Sequence, residues 1–351
     1  MTITRTTGAA ALVAAAILAA PSAWAQTRVS INGADQQPLT ELINGTTHAE
    51  WLSDATNIGA NWTGIPTSTN VDYPASLIDP SADTSLNIGQ AALNTSIFNA
   101  VSSGQPVVVT GLSMGTIVID REITYLDADP SAPPPSKLTF IEFGTPSAPG
   151  SFGATYIPAG ATVPLINYTQ EPLPADSPYN IVIVNAQWDG WANAPDRPWD
   201  LVADANAVLG ALQEHGTDEV GTVPANAVEQ SQVINSAGGT TTTYVVPEPT
   251  LPLVQPLINA GVPASITNPL NKALTPIVEK GYSQYTPKAG PYVSGGKIVG
   301  LTVQTPSLSF KPPPGRSRTP SAARSDKGGS SRFEHPHRPL RSGKQPIHNG
   351  P

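Results

Sequence analysis

The sequence predicts an α/β fold, a mostly parallel sheet with helices on both faces. Three observations carry this. Short β-branched runs alternate with stretches of helical periodicity from Val29 to Gly216. Gly111-Leu112-Ser113-Met114-Gly115 lies between one such run and a helical stretch, a strand–turn–helix junction that exposes its central side chain at the carboxyl end of a sheet. Residues 26–310 are long enough for one such domain with an appended segment.

The elements follow in order. Val29 to Gly33 reads as a first strand entering a polar turn, and residues 34–84 carry few clear periods. Leu86 to Val101 is helical, with Ile88, Ala91, Ala92, Ile97 and Val101 at helical spacing. Gln105 to Thr110 is a buried strand after a Gly-Gln-Pro turn. Thr116 to Leu126 is then a helix, although its β-branched run Thr116-Ile117-Val118-Ile119 is a mediocre helix former that only a buried helix tolerates. Lys137 to Gly144 and Asn180 to Asn185 are further strands. Leu201 to Gln213 places Leu201, Ala205, Val208, Leu209 and Leu212 on one helical face, which amphipathicity assigns to the core. That helix runs into His215 and stops at Gly216, a C-terminal capping residue. From Thr240 to Tyr285 prolines interrupt short apolar pieces, so 240–285 reads as a candidate lid or a surface excursion.

Both ends differ from this body. Arg5, the apolar run Ala9 to Ala20 and Ala23-Trp24-Ala25 form a secretory signal peptide over residues 1–25, too short to span a membrane, with the mature chain starting at Gln26. No later run has the length of a transmembrane helix, and the expected location is secreted or in the cell envelope. Residues 311–351 are rich in Pro, Ser and Arg and are expected to form a disordered basic tail. The chain has no cysteine, which excludes disulfides, a thiol nucleophile and thiolate metal sites. The tail carries a net charge of +7, leaving −16 on residues 26–310, so nucleic acid is not an expected partner.

A serine hydroxyl needs a base, and the chain has five histidines. His335, His337 and His348 fall in the tail and His48 in the irregular N-terminal region, which leaves His215 at a helix end. An orienting acid is expected just past a strand end between Ser113 and His215. Asp189, in Trp188-Asp189-Gly190, meets both demands; Asp196, Asp200 and Asp204 are rivals, the first two as helix-start residues and the last as a solvated helical position. The Met114 N–H and the turn at Gly33-Ala34 are the candidate oxyanion donors. No cofactor or metal is expected, the only metal-like pattern being His335-Pro336-His337.

Together these segments resemble the PE-PPE domain, a family of exported actinobacterial serine α/β-hydrolases related to cutinases. The likeness runs over Tyr73-Pro74-Ala75, Ser85 to Leu93, Val107 to Gly115 and Leu138 to Pro146. Its most specific parts are Trp188-Asp189-Gly190-Trp191-Ala192, Leu201 to Ala207 and His215-Gly216-Thr217, and it spans residues 29–285. The resemblance implies an α/β-hydrolase-like fold with Ser113 as nucleophile, His215 as base and an aspartate, at Asp189, as orienter. It implies activity on acyl-ester or lipid substrates, by hydrolysis or by acyl transfer onto a glycolipid or trehalose acceptor. Two departures stand out: the family's early Gly-Gly-Thr turn reads Asn32-Gly33-Ala34, and Asn193 replaces a second acid in the Asp-Gly segment. A catalytically silent envelope protein is the reading from outside enzymology.

Overall fold

One sheet organises the chain, and its strands alternate across it. The computed structural model describes residues 27–35, 41–42 and 45–301. The segments expected to be a leader, 1–25, and a basic tail, 311–351, with the three histidines of the latter, lie outside the described residues. The chain enters through β1 (Thr27–Ile31), crosses the short helices α1 (His48–Asp54) and α2 (Ala60–Thr63), and adds the edge strand β2 (Thr69–Asn70). Helix α3 (Ala82–Val101) leads to β3 (Val107–Leu112), α4 (Met114–Ala128) and β4 (Leu138–Phe143). A short helix α5 (Phe152–Tyr156) and the β5 (Thr162–Val163)–β6 (Tyr168–Thr169) hairpin precede β7 (Asn180–Ala186). Then come α6 (Leu201–Gln213), α7 (Asp218–Gly221), β8 (Val228–Ile234), β9 (Thr240–Val246), α8 (Gln255–Asn259), α9 (Ala264–Val278) and the β10 (Tyr292–Ser294)–β11 (Lys297–Val299) hairpin.

The seven-stranded sheet has the order β2-β1-β3-β4-β7-β9-β8, parallel throughout except for β8. This is the α/β-hydrolase-like architecture the sequence predicts. Strand residues alternate between two cores: Val107, Val109, Phe140, Ile181 and Ile183 face one, Val108, Ile141, Phe143, Val182 and Val184 the other. Burial on both faces explains why β3, β4 and β7 read as continuous apolar runs. The chain leaves β1 for β2 on one flank and returns to β3 on the other. Their carboxyl ends therefore flank the point where strand order reverses, the usual ligand crevice of an open α/β sheet.

Two helical faces differ from the sequence reading. In α3 the buried stripe is Ala82, Leu86, Gly89, Leu93 and Ile97, while Ile88 is exposed. Gly89 sets this, because a Cβ there would lie 2.8 Å from the Tyr73 ring and 3.0 Å from Val118, so the helix can approach only with its small residue inward. In α6 the buried residues are Ala203, Asn206, Ala207 and Gly210, and the larger apolar stripe points outward. A Cβ on Gly210 would sit 1.9 Å from the Trp188 carbonyl oxygen, so the close contact selects small residues.

The 240–285 segment also differs from a lid. Its first residues are β9, paired along β7, and Leu251, Val254, Val278 and Tyr282 pack with Trp188 and Ala203 in a third cluster. No helix among the described residues is long and apolar enough to cross a membrane.

Candidate active site

Ser113 stands at the tip of β3 with φ 52° and ψ −119°, a conformation a non-glycine residue holds only when its surroundings enforce it. The enforcement is visible. The Ser113 N–H donates to the Phe143 carbonyl at 3.0 Å and the Thr116 hydroxyl donates to the Ser113 carbonyl at 2.7 Å. The motif glycines let backbones close in: a Cβ on Gly115 would lie 2.6 Å from Asn32 O, and one on Gly111 2.6 Å from Ile119. The helix that follows starts at Met114, whose N–H, at the first helical position, has no intrahelical acceptor.

His215 reaches this serine from the end of α6. Its Nε2 lies 2.8 Å from Ser113 Oγ and its Nδ1 2.7 Å from Asp189 Oδ2. A carboxylate only accepts, so Nδ1 carries the proton and the Nε2 lone pair faces the hydroxyl. Gly216, at φ 77°, turns the chain directly after the histidine. Asp189 is fully buried, and its second oxygen accepts the Trp191 N–H at 2.9 Å. The structure thus brings Ser113, His215 and Asp189 together. The rivals go elsewhere: Asp196 binds Ser283, Asp200 caps α6 by accepting the Ala203 N–H at 3.3 Å, and Asp204 lies along α6.

Sequence reasoning missed Glu219. It is fully buried, accepts the Gly216 N–H at 2.7 Å and the Ala186 N–H at 3.2 Å, and shares a hydrogen bond with Asp189. Burial first, then the adjacent Asp189 charge, pushes its carboxyl well above the ordinary range. Its two oxygens, on the Gly216 and Ala186 N–H groups, tie the ends of β7 and α6 to each other. Its only signal in the sequence was its place two residues after His215-Gly216-Thr217. Asp189, His215 and Glu219 offer ligand atoms within 4.8 Å of one another, the only such trio among the described residues. With Nδ1 and Oδ2 already bonded to each other and both Glu219 oxygens on backbone N–H groups, that trio is a poor cation site.

The turn after β1 packs against the serine, since a Cβ on Gly33 would lie 3.0 Å from Ser113 Cβ. The Gly33 N–H is already directed onto Asn32 Oδ1 at 2.8 Å, which leaves the Ala34 N–H, with no partner among the described residues, as the donor available on this side. Trp51 Nε1 donates to Gly33 O at 3.1 Å, Asn32 Nδ2 to Trp51 O at 2.7 Å and Tyr73 OH to Asn32 O at 2.9 Å, fixing the turn. His48 belongs to this frame and not to the serine: it bridges Asp35 and Asp72, each at 2.9 Å, and stacks on Trp51. Its hydrogen bond to Asp35 raises its pKa.

A cavity of about 570 Å³ opens over Ser113 and His215. Leu86, Ile117, Phe152, Val163, Ile166 and Trp191 supply apolar wall. None of its lining residues comes from 240–285; α5 and the β5–β6 hairpin cover it instead. A cavity of this character can hold a hydrocarbon chain with its polar end at Ser113.

Fold and site define the class as α/β-hydrolase-like. The family model described as the PE-PPE domain matches residues 62–283, and the chain belongs to that family. It is 45% identical over 292 residues to the uncharacterized PPE family protein PPE63 of Mycobacterium tuberculosis, covering 80% of this chain and 60% of that protein. It is 37% identical over 254 residues to the SL1278 acyltransferase Chp1 of the same organism, covering 69% and 60%. It is also similar to the esterase PE16 of that organism, at 32% identity over 226 residues covering 64% of this chain and 40% of PE16. The chain thus spans at most 60% of the length of these three relatives. No solved structure matches it.

Proposed function

We propose that this chain is an exported serine enzyme of acyl esters that works through an acyl-enzyme. The observation that carries the reading is the hydrogen-bonded series Ser113 Oγ–His215 Nε2 and His215 Nδ1–Asp189, at 2.8 and 2.7 Å. Ser113 Oγ attacks the ester carbonyl while His215 Nε2 takes the hydroxyl proton; Asp189 holds the imidazole and stabilises its positive charge. The Met114 and Ala34 N–H groups receive the oxyanion, each worth about 3–4 kcal/mol in the transition state. The tetrahedral intermediate collapses, and the alcohol leaves with the proton from His215. A second hydroxyl, from water or from an acceptor alcohol, then gives its proton to His215, attacks the acyl-serine and frees Ser113.

Hydrolysis and transfer share every step up to the acyl-enzyme. Relatives named as an esterase and as an acyltransferase support the common chemistry. The apolar cavity supports an acyl substrate, and the leader over 1–25 supports export. The test is product analysis with p-nitrophenyl esters of two to eighteen carbons, with and without trehalose. Acyl-enzyme turnover is expected, with free acid marking hydrolysis and acylated sugar marking transfer. Release of p-nitrophenol with no ester above the uncatalysed rate contradicts the reading and favours the silent envelope protein.

A further inference from the structure

Helix α6 carries its large apolar side chains on the wrong side for a core helix. Leu201 is 74%, Val208 62% and Leu212 78% exposed, and with Ala205 they form one stripe at positions i, i+4, i+7 and i+11. Trp199, directly before the helix, and Trp191 are about half exposed. A groove of about 290 Å³ runs between this stripe and the site, with Val208 on its helix side. Phe152 and Trp191, whose rings pack edge to face with centroids 5.5 Å apart, line both that groove and the Ser113 cavity, so this aromatic pair stands between the two apolar spaces. Monomeric soluble proteins rarely leave such a contiguous patch bare.

Two features identify the occupant. The patch adjoins, across Phe152 and Trp191, a cavity suited to a hydrocarbon chain, so the occupant it fits is one that carries such chains. No lysine or arginine occurs from 198 to 271, while Asp200, Asp204, Glu214 and Asp218 lie on or beside the helix, so an anionic surface would be repelled. Exposed tryptophans beside aliphatic residues suit the boundary of an uncharged or zwitterionic lipid phase.

We propose that the outer face of α6, with Trp191 and Trp199, docks on an uncharged or zwitterionic lipid surface, and that the Phe152–Trp191 groove conducts an acyl chain from that surface to Ser113. The docking stands on the exposed face alone; the conduction rests on the acyl-ester reading. Because His215 lies two residues beyond the end of α6, seating the helix on lipid also brings the base toward the lipid phase.

The test uses the full chain and its Leu201→Gln/Leu212→Gln variant, whose two sites line neither the cavity nor the groove. Wild type is expected to float with phosphatidylcholine vesicles, less with vesicles containing phosphatidylglycerol, and the variant to bind phosphatidylcholine about tenfold more weakly. The variant should turn over water-soluble p-nitrophenyl acetate within about twofold of wild type and a micellar long-chain ester about tenfold more slowly. Equal flotation of the two proteins, or none by wild type, overturns the proposal. So does a wild-type dimer that the variant loses on sizing, which would make the face a contact between copies. Flotation that depends on the two leucines with no turnover of either ester leaves docking standing and sinks the acyl-ester reading. If the double variant does not fold, Leu212→Gln alone, with about a threefold loss in binding, decides the same question.

Discussion

Helix α4, which follows Ser113, and helix α6, which leads into His215, bury opposite kinds of side chain. Helix α4 turns Ile117, Val118, Ile119, Ile123 and Leu126 inward, and its β-branched run survives because tertiary packing outweighs propensity. Helix α6 turns Ala203, Ala207 and Gly210 inward and leaves Leu201, Val208 and Leu212 in water. The difference follows from what each must reach. Helix α4 fills the volume between the sheet and α3, whereas α6 must come within backbone contact of Trp188 so that His215 meets Asp189. Apolar periodicity locates a helix, but the neighbour's distance decides which face is buried.

The largest expected effect treats the two helix ends alike. Ser113→Ala and His215→Ala should each lower kcat on a p-nitrophenyl ester by about 10⁴-fold or more while leaving Tm nearly unchanged, since each removes chemistry and little packing. A His215→Ala protein with wild-type kcat would detach α6 from the chemistry.

Packing should then separate the helices in urea unfolding. Ile119→Ala on α4, fully buried, is expected to cost about 2–5 kcal/mol. Gly210→Ala on α6 should cost about 1–3 kcal/mol by overpacking, whereas Leu212→Ala on its outer face should fall within about 0.5 kcal/mol. A Leu212→Ala cost as large as that of Ile119→Ala would mean that the outer stripe is packed after all.

Glu219 sharpens the comparison at the join of α6 and β7. Removing its two acceptor oxygens in Glu219→Ala should loosen His215 and lower kcat about 10–100-fold with little change in KM. Glu219→Gln puts an amide NH2 where one carboxyl oxygen accepts a backbone N–H, so it should fall between Glu219→Ala and wild type. A Glu219→Gln enzyme at the wild-type rate would mean that one of the two acceptor oxygens is dispensable.

The smallest effect concerns pH and runs the same way on both sides, since burial also pushes the Glu214 carboxyl, directly after α6, up to about 9. Burial pushes the Glu122 carboxyl from 4.5 up to about 7, against opposing hydrogen bonds from Asn94 and Gln90. A carboxyl that holds its proton more tightly when folded adds stability below its unfolded pKa and loses that contribution as pH rises from about 4.5 to about 7. His48, raised chiefly by its bond to Asp35, runs the same way, its contribution fading as pH rises through its folded value. Calorimetry of Ser113→Ala should therefore give a Tm a few degrees higher at pH 5.5 than at pH 7.5; a higher Tm at pH 7.5 would contradict this assignment.

The sequence made the sheet legible because buried parallel strands are written as Val107-Val108-Val109 and Ile181-Val182-Ile183-Val184, which little else resembles. The three side chains that meet at Ser113 were legible as candidates for chemical reasons: few histidines, a serine in a glycine-flanked turn, and an aspartate just past a strand. What stayed hidden depends on distances between elements. The inward faces of α3 and α6 are set by Gly89 against Tyr73 and by Gly210 against Trp188. The cavity walls come from Phe152, Val163 and Ile166, whose surroundings carry no periodic signal. Residues 240–285 resembled a lid because prolines break their pattern, yet they supply a sheet strand and a separate apolar cluster.

The most direct test is labelling of the intact chain with a fluorophosphonate probe, followed by peptide mass spectrometry to locate the adduct. One adduct on Ser113 is expected, absent in Ser113→Ala and formed far more slowly in His215→Ala. An adduct on another serine, or ester turnover by Ser113→Ala at the wild-type rate, would contradict the account.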